Sequence, residues 1–106
     1  MSANDRLSTQ MTHLNGVAVL TLQGEIDIYT APCLQESIER VCALGVPVLL
    51  DMERGTFMDS SGLSALIVAS GVADGLFSSV QIMRPSDQVR RVLSLTGLDK
   101  VLLTET

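Results

Sequence analysis

The chain has 106 residues, a length that fits one domain with its own hydrophobic core. Hydrophobic residues make up 46% of the chain, but only one Tyr and two Phe are present, so the core must be aliphatic. Stacking platforms for single-stranded nucleic acid are missing, and the net charge of −5 disfavours a direct nucleic-acid partner.

The first segments in chain order predict a β-hairpin. Residues 1–6 are polar and predict a loose N-terminus. Weak alternation over residues 7–14 predicts an edge strand, and Asn15-Gly16 is a strong signal for a two-residue hairpin turn. Residues 17–22 then predict the second strand, which ends at the segment Gly24-Glu25-Ile26-Asp27.

A helix and a buried strand follow. Thr30 is the predicted N-cap, and Pro32 lies in the first turn, where its missing N–H costs nothing. Gly45 stops this helix, residues 46–50 predict a buried strand, and residues 51–56 predict a loop. The apolar residues of the helix recur at helical spacing: Leu34, Ile38, Val41 and Cys42.

Helices and strands continue to alternate in the second half of the chain. A second helix is predicted to begin at residues 59–62 and to end near Gly75, and Val80 begins a further strand. Ser86 is the predicted cap of a third helix that Gly97 stops, and residues 101–103 predict a last short strand. The order predicts an α/β domain in which helices pack on a mixed sheet of four to five strands.

The two cysteines and the lengths of the apolar runs indicate the cellular compartment of the protein. Cys33 and Cys42 fall on the first predicted helix, about 13 Å apart along its axis, too far for a disulfide. Packing in the core is the favoured interpretation of both, and a redox role stays open. With no signal sequence and no apolar run near the roughly 20 residues of a membrane span, we expect a cytoplasmic protein without membrane contact.

Catalytic patterns are missing from the sequence. His13 is the only histidine, so a serine nucleophile has no second candidate for its base. The chain has no Gly-x-Ser-x-Gly elbow, no Cys/His spacing for zinc and no Gly-rich phosphate loop. We therefore expect neither enzymatic activity nor a metal or cofactor.

The segment Asp59-Ser60-Ser61-Gly62 is a strand-to-helix junction, with any of its first three residues as the N-cap. A phosphate on Ser60 would change the surface charge without unfolding the core, and Asp59 would push it outward.

The second helix carries two apolar stripes on opposite sides. The smaller stripe either packs against a neighbouring helix or forms an exposed partner surface beside Ser60. The bulky stripe contains Leu63, Leu66 and Ile67, and the smaller one contains Ala65, Val68, Ala69 and Val72.

Three segments resemble the anti-sigma-factor antagonists of the STAS-domain family: residues 24–32, 50–52 and 57–63. Residues 95–98 also fit, so the resemblance runs from about residue 17 to residue 103. It implies a single STAS domain over residues 1–106 that stops before the final helix of the family. Ser64 stands where a glycine is frequent in the family.

The resemblance also implies a bacterial partner-switching regulator of transcription. Such proteins bind an anti-sigma factor that is a serine/threonine kinase and thereby free the sigma factor. The kinase phosphorylates the serine that corresponds to Ser60, the complex dissociates, and a phosphatase restores the active form. Asp27 and Asp59 are implied as contact residues beside the phosphorylation loop. The predicted partner surface is completed by Ser61, Gly62, Val68 and Val72.

An alternative function stays open from the sequence. In it, the chain is a STAS subunit of a transporter, lipid-transport or ligand-sensing system and is never phosphorylated.

Overall fold

The computed structural model describes residues 6–70 and 80–103. Four strands form one mixed sheet in the order β1-β2-β3-β4, with β1 antiparallel to β2 and the other neighbours parallel. This confirms the predicted α/β class and the smaller of the two predicted strand numbers. The strands are β1 (Leu7–Leu14), β2 (Val17–Ile26), β3 (Val48–Met58) and β4 (Val80–Met83).

Four helical segments accompany the sheet in the part of the chain that the structure describes. The first two helices pack against each other, and the third packs against β3. The helices are α1 (Ala31–Cys42), α2 (Ser60–Ser70), α3 (Asp87–Thr96) and α4 (Asp99–Leu102). Within residues 6–70 and 80–103, none of them has the length and apolar character needed to cross a bilayer.

The predicted hairpin is confirmed. Asn15 and Gly16 both have positive φ, 54° and 81°, as the central residues of a type I′ turn require. The register runs from Leu14 opposite Val17 to Leu7 opposite Gly24. The turn chemistry therefore sets the pairing of the first two strands.

The start of α1 differs in detail from the prediction. Thr30 occupies the N-cap position but has helical φ and ψ, and its side chain makes no capping bond. Its hydroxyl instead donates to the carbonyl of Glu25, 2.8 Å away, and accepts from the backbone N–H of Asp27 at 2.9 Å. Side-chain capping requires an extended backbone at the N-cap residue, and Thr30 does not have one. Its hydroxyl stabilises the β2–α1 turn instead.

The loop predicted over residues 51–56 is wrong. These residues continue β3, which pairs with β2 as far as Met58 opposite Ile26. Glu53 and Arg54 are exposed on the strand, so their polarity reflects solvent contact and not a break in the strand. Pairing with β2 outweighs the low strand propensity of this stretch.

The C-terminal strand predicted over residues 101–103 is also wrong. Leu102 ends α4, and Leu103 alone forms a parallel bridge with Ile82. The predicted stop of α3 is confirmed at Gly97, and the Oγ of Ser86 accepts the N–H of Val89 at 3.2 Å as its cap. The predicted end of α2 near Gly75 lies outside the described residues.

The core is aliphatic, as predicted from the composition. Leu20 of β2, Leu50 of β3 and Ile82 of β4 lie side by side in the sheet, and all are buried. From α1, Leu34 and Ile38 add fully buried side chains to this cluster.

Both cysteines lie on α1, half-buried and free. Burial, together with the nearby Glu39, raises the pKa of the Cys42 thiol, which keeps it in the less reactive protonated form.

Candidate functional site

The carboxyl ends of β2 and β3 bring Asp27 and Asp59, the two aspartates expected to be contact residues, to one edge of the sheet. Ile26 pairs with Met58 at the last position of the two parallel strands. The N–H of Asp59 then donates to the carbonyl of Ile26 at 3.1 Å. Because Asp27 and Asp59 each follow one of these paired residues, the turns into α1 and α2 start next to each other.

Asp59 is the N-cap of α2. Its Oδ1 accepts the N–H groups of Ser61 at 2.9 Å and Gly62 at 3.1 Å. Its backbone carbonyl accepts the N–H of Leu63 at 3.0 Å. Of the three residues considered as caps, the aspartate therefore fills the role, and neither serine hydroxyl is needed for it.

Three serines on α2 differ in accessibility. Ser60 is the first residue of the helix and is exposed. Ser61 is half-buried, whereas Ser64 is exposed one turn further along. The hydroxyl at the tip of the helix is thus open to solvent beside the capping carboxylate of Asp59.

Asp27 is only 6% exposed, and its carboxylate is engaged inside the protein. Oδ1 accepts the N–H groups of Tyr29 at 2.9 Å and Thr30 at 3.1 Å, and Oδ2 forms an ion pair with Arg6. Burial opposes ionisation, but the two N–H groups and Arg6 outweigh it and hold the pKa of Asp27 below its usual value. Asp27 therefore supports the turn that leads into α1.

Arg6 was assigned to the loose N-terminus by the sequence, and the structure anchors it. Its guanidinium bonds the carboxylates of Glu25, at 2.6 Å, and Asp27. It also lies 5.7 Å from the ring centroid of Tyr29, a cation–π distance. The prediction of a loose N-terminus is therefore wrong for Arg6.

Gly62 is buried where α2 passes closest to β2. A Cβ at this position would lie 2.3 Å from Cγ2 and 2.8 Å from the carbonyl oxygen of Ile26. Both distances are far below van der Waals contact, so only glycine allows this approach of helix and strand. Gly62 therefore allows α2 to pack directly against the end of β2.

An open groove of about 540 Å³ runs between α1 and α2. Ala31 of α1 and Ala65 of α2 lie along it, and the side chain of Val68 is 57% exposed at its rim. The remaining lining consists of Ile28, Pro32, Gln35, Glu36, Glu39, Ser61 and Ser64.

Each of the two interpretations of the smaller α2 stripe holds for part of it. Ala65 and Ala69 are buried, and α2 packs against α1, as the first interpretation requires. Val68 projects into solvent, as the second requires. Val72, the fourth residue of the stripe, lies outside the described residues.

Exposed apolar residues beside the two aspartates were missed as candidate contacts. Ile28 and Tyr29 follow Asp27 directly and are 63% and 74% exposed, and Phe57, near the end of β3, is 42% exposed. The sequence signal that could have found them is the presence of large apolar residues next to Asp27 and Asp59, where the predicted strands end. Together they surround the polar tip of α2 with apolar surface.

His13 lies at the opposite end of the sheet from Ser60. It pairs with Ala18 near the start of β2, whereas Ser60 follows the strand end at Ile26. Eight residues of extended strand span about 26 Å. The histidine therefore cannot act as a base for Ser60. Over residues 6–70 and 80–103, no group of three or more potential metal ligands occurs.

Comparisons with known proteins agree with this architecture. The family model described as STAS domain matches residues 8–106. The anti-sigma-F factor antagonist RsfB of Mycobacterium tuberculosis is 36% identical over 101 residues, covering 94% of this chain and 82% of the relative. The anti-sigma-B factor antagonist of Bacillus subtilis is 25% identical over 83 residues, covering 78% of this chain and 76% of that protein.

A solved structure shows the same fold at similar sequence identity. The crystal structure of an anti-sigma factor antagonist from Mycobacterium paratuberculosis superimposes with a TM-score of 0.81 at 33% identity, covering all of this chain and 92% of that one. These relatives are named as regulatory proteins and not as enzymes. The sequence resemblance is thereby confirmed, and the chain belongs to the STAS domain family.

Proposed function

We propose that this protein is an anti-sigma-factor antagonist. It binds an anti-sigma factor that is a serine/threonine kinase, frees the sigma factor, and is switched off by phosphorylation of Ser60. The names of its relatives support the role of anti-sigma-factor antagonist. The observation that carries the switch is the exposed hydroxyl of Ser60 at the tip of α2, beside an open groove and a capping carboxylate.

The unmodified surface suits a protein partner. Ile28, Phe57 and Val68 supply exposed apolar side chains around the tip of α2, and burying such surface favours protein association. Glu36 and Glu39 at the groove favour a partner segment with basic residues. The partner is expected to contact both helices and to cover Ser60.

A phosphate on Ser60 would work against this contact. It adds about −1.5 to −2 charges at pH 7. The N–H groups of Ser61 and Gly62, which would otherwise attract an anion to a helix N-terminus, already bond Asp59. Repelled by that carboxylate, the phosphate extends into the interface, where its charge and bulk break the complex. It stays exposed there, which suits removal by a phosphatase.

The assignment is tested with the cognate anti-sigma kinase and ATP, followed by mass spectrometry of the intact protein. We expect a gain of one phosphoryl group in the wild type, in Ser61→Ala and in Ser64→Ala, and no gain in Ser60→Ala. Ser60→Ala should bind the kinase constitutively, and Ser60→Asp should bind at least tenfold more weakly. A label that maps to Ser61 or Ser64 would refute the site.

The same experiment separates the alternative STAS function. A subunit of a transporter, lipid-transport or ligand-sensing system would gain no phosphate from any such kinase, and its groove would hold a ligand or another subunit. In the proposed function the protein acts in the bacterial cytoplasm, without a cofactor and without contacting nucleic acid or membrane.

A further inference from the structure

β1 is an edge strand without the usual protection against pairing. Residues 7–14 contain no Asp, Glu, Lys, Arg or Pro. The register with β2 runs through all eight positions without a bulge. Among the residues that the structure describes, no strand pairs with the outer side of β1. Edge strands in monomeric proteins are normally blunted by charges, prolines, bulges or shortness.

The hairpin geometry determines which backbone groups face outward. In a two-residue type I′ hairpin, the residues that flank the turn, here Leu14 and Val17, form a hydrogen-bonded pair. Every second residue back along the strand bonds β2 in the same way. The N–H and C=O groups of Thr9, Met11 and His13 therefore point away from the sheet, as a template for another strand.

Exposed apolar side chains lie at the same edge. An open, mainly apolar groove of about 300 Å³ separates β1 from α1. Met11 of β1 and Leu44, just after α1, line this groove and are 45% and 50% exposed. Leu14, on the other face of the sheet, is 60% exposed. Backbone groups and apolar side chains thus coincide at one edge.

We propose that β1 pairs antiparallel with β1 of a second copy of this chain, giving a continuous eight-stranded sheet with a two-fold axis at Met11. A second copy fits because antiparallel self-pairing satisfies the same outward groups in both chains, and an uncharged strand places no like charges opposite each other. In this register Met11 faces its own copy, Thr9 faces His13, and Ser8 faces Leu14.

The two-fold axis also covers the apolar groove. Residues directly opposite each other in an antiparallel pair project to the same face of the sheet. The α1 helices of both copies therefore lie on one face, and Leu44 of each approaches the Met11 pair. One strand pair with these flanking contacts buries less than a standard interface of about 1,600 Å², so the dimer is weak and concentration-dependent.

The dimer leaves the proposed partner site open. The β1 groove is lined by Ser37, Arg40 and Val41 of α1, whereas the groove beside Ser60 uses Pro32, Glu36 and other residues on the opposite flank of that helix. Each dimer therefore presents two separate copies of the α2 tip.

Sedimentation velocity of the full chain, from low micromolar to near-millimolar concentration, tests the proposal. The wild type should shift from monomer to dimer, and Met11→Lys, which sets two ammonium groups face to face, should stay monomeric. Leu44→Lys, outside the hairpin, should weaken dimerisation in the same direction. Leu95→Lys places the same charge at an 81% exposed position on α3 and should dimerise like the wild type.

Thermal unfolding by circular dichroism checks that each variant is folded. A wild type that remains monomeric at every concentration, or a folded Met11→Lys that dimerises equally well, overturns the proposal.

Disulfide trapping tests the register separately. In a background with Cys33→Ser and Cys42→Ser, Met11→Cys should form an intermolecular disulfide on mild oxidation, because facing residues of such a pair have Cα atoms about 5.5 Å apart. Leu14→Cys is the matched control, since the register puts its two copies about 20 Å apart. Faster cross-linking through Leu14→Cys would contradict the proposed pairing.

Discussion

Asp59 and Gly62 together allow α2 to begin directly against the end of β2. The carboxylate of Asp59 takes up two N–H groups of the first turn, and the absence of a side chain at Gly62 lets that turn reach Ile26. Ser60 lies between them, and its hydroxyl takes no part in either task. This division would let Ser60 carry the proposed phosphate without disturbing the helix on which it lies.

Gly62→Ala should lower stability by about 1–3 kcal/mol, because the new methyl group would overlap Ile26 and force α2 to move. Urea unfolding followed by circular dichroism measures the loss. Ser64→Ala, at an exposed position on the same helix, should change the unfolding free energy by less than about 0.5 kcal/mol. A Gly62→Ala protein as stable as the wild type would contradict the close contact.

At the scale of single residues, the sequence indicated the junction but not the state of each side chain. Asp59, Ser60 and Gly62 form one contiguous motif with local capping chemistry, which sequence patterns capture well. The ion pair of Asp27 with Arg6, 21 positions away, forms only when β1 pairs with β2. No local pattern encodes such an ion pair.

Among the elements, α1 and α2 form the surface that we assign to the partner. Val68→Glu places a carboxylate at the rim of their groove, next to Glu36 and Glu39 on the facing helix. We expect at least tenfold weaker binding to the anti-sigma kinase, about 1.4 kcal/mol, with an unchanged melting temperature. Isothermal titration calorimetry measures the affinity.

Leu95→Glu is the control for this variant. It introduces the same charge on α3, at the exposed position used above. Its affinity should equal that of the wild type. Unchanged affinity of a folded Val68→Glu protein would remove the groove rim from the partner surface.

The hairpin, the α3 cap and its glycine stop were predictable because each depends on a few neighbouring residues. The length of β3 and the short α4 were not. Glu53 and Arg54 have the polarity of a loop, yet they lie in a strand because β3 keeps pairing with β2 as far as Met58, across two shifts of register. Residues 101–103 have the apolar composition of a strand, but only Leu103 reaches β4.

For the molecule as a whole, the ion pairs of Arg6 and Arg84 join parts that are distant in sequence. Arg6 links the N-terminal strand to the turn before α1, and Arg84, beyond β4, pairs with the buried carboxylate of Asp51 on β3. Asp27 and Asp51 each anchor an arginine that is more exposed than they are. The first pair thus holds the start of β1 beside the end of β2, and the second holds the end of β4 beside β3.

Acid should weaken the molecule through Asp27. A carboxyl group whose folded pKa is below its unfolded value of about 3.9 stabilises the protein fully above that value, and the contribution disappears as pH falls through the folded pKa. The stability advantage of the wild type over Asp27→Asn should therefore be constant near neutral pH and shrink below about pH 4.

Urea midpoints measured across this pH range, with Glu39→Gln as an exposed carboxylate control, check the expectation. The difference in stability between the wild type and Asp27→Asn should shrink in acid. The difference between the wild type and Glu39→Gln should stay small at every pH. If the stability advantage of the wild type over Asp27→Asn did not change with pH, the carboxylate would contribute no charge-dependent stability.

The sequence by itself determined the α/β class, the hairpin, the aliphatic core and the motif around Ser60, because these follow from side-chain periodicity and from chemistry within a few residues. Only the tertiary structure decided that Asp59 is the cap, that Asp27 is buried against Arg6, and that Val68 is exposed while Ala65 is not. Those properties depend on which strand or helix lies opposite, and the pairing of β2 with β3 is what brings the two turns together.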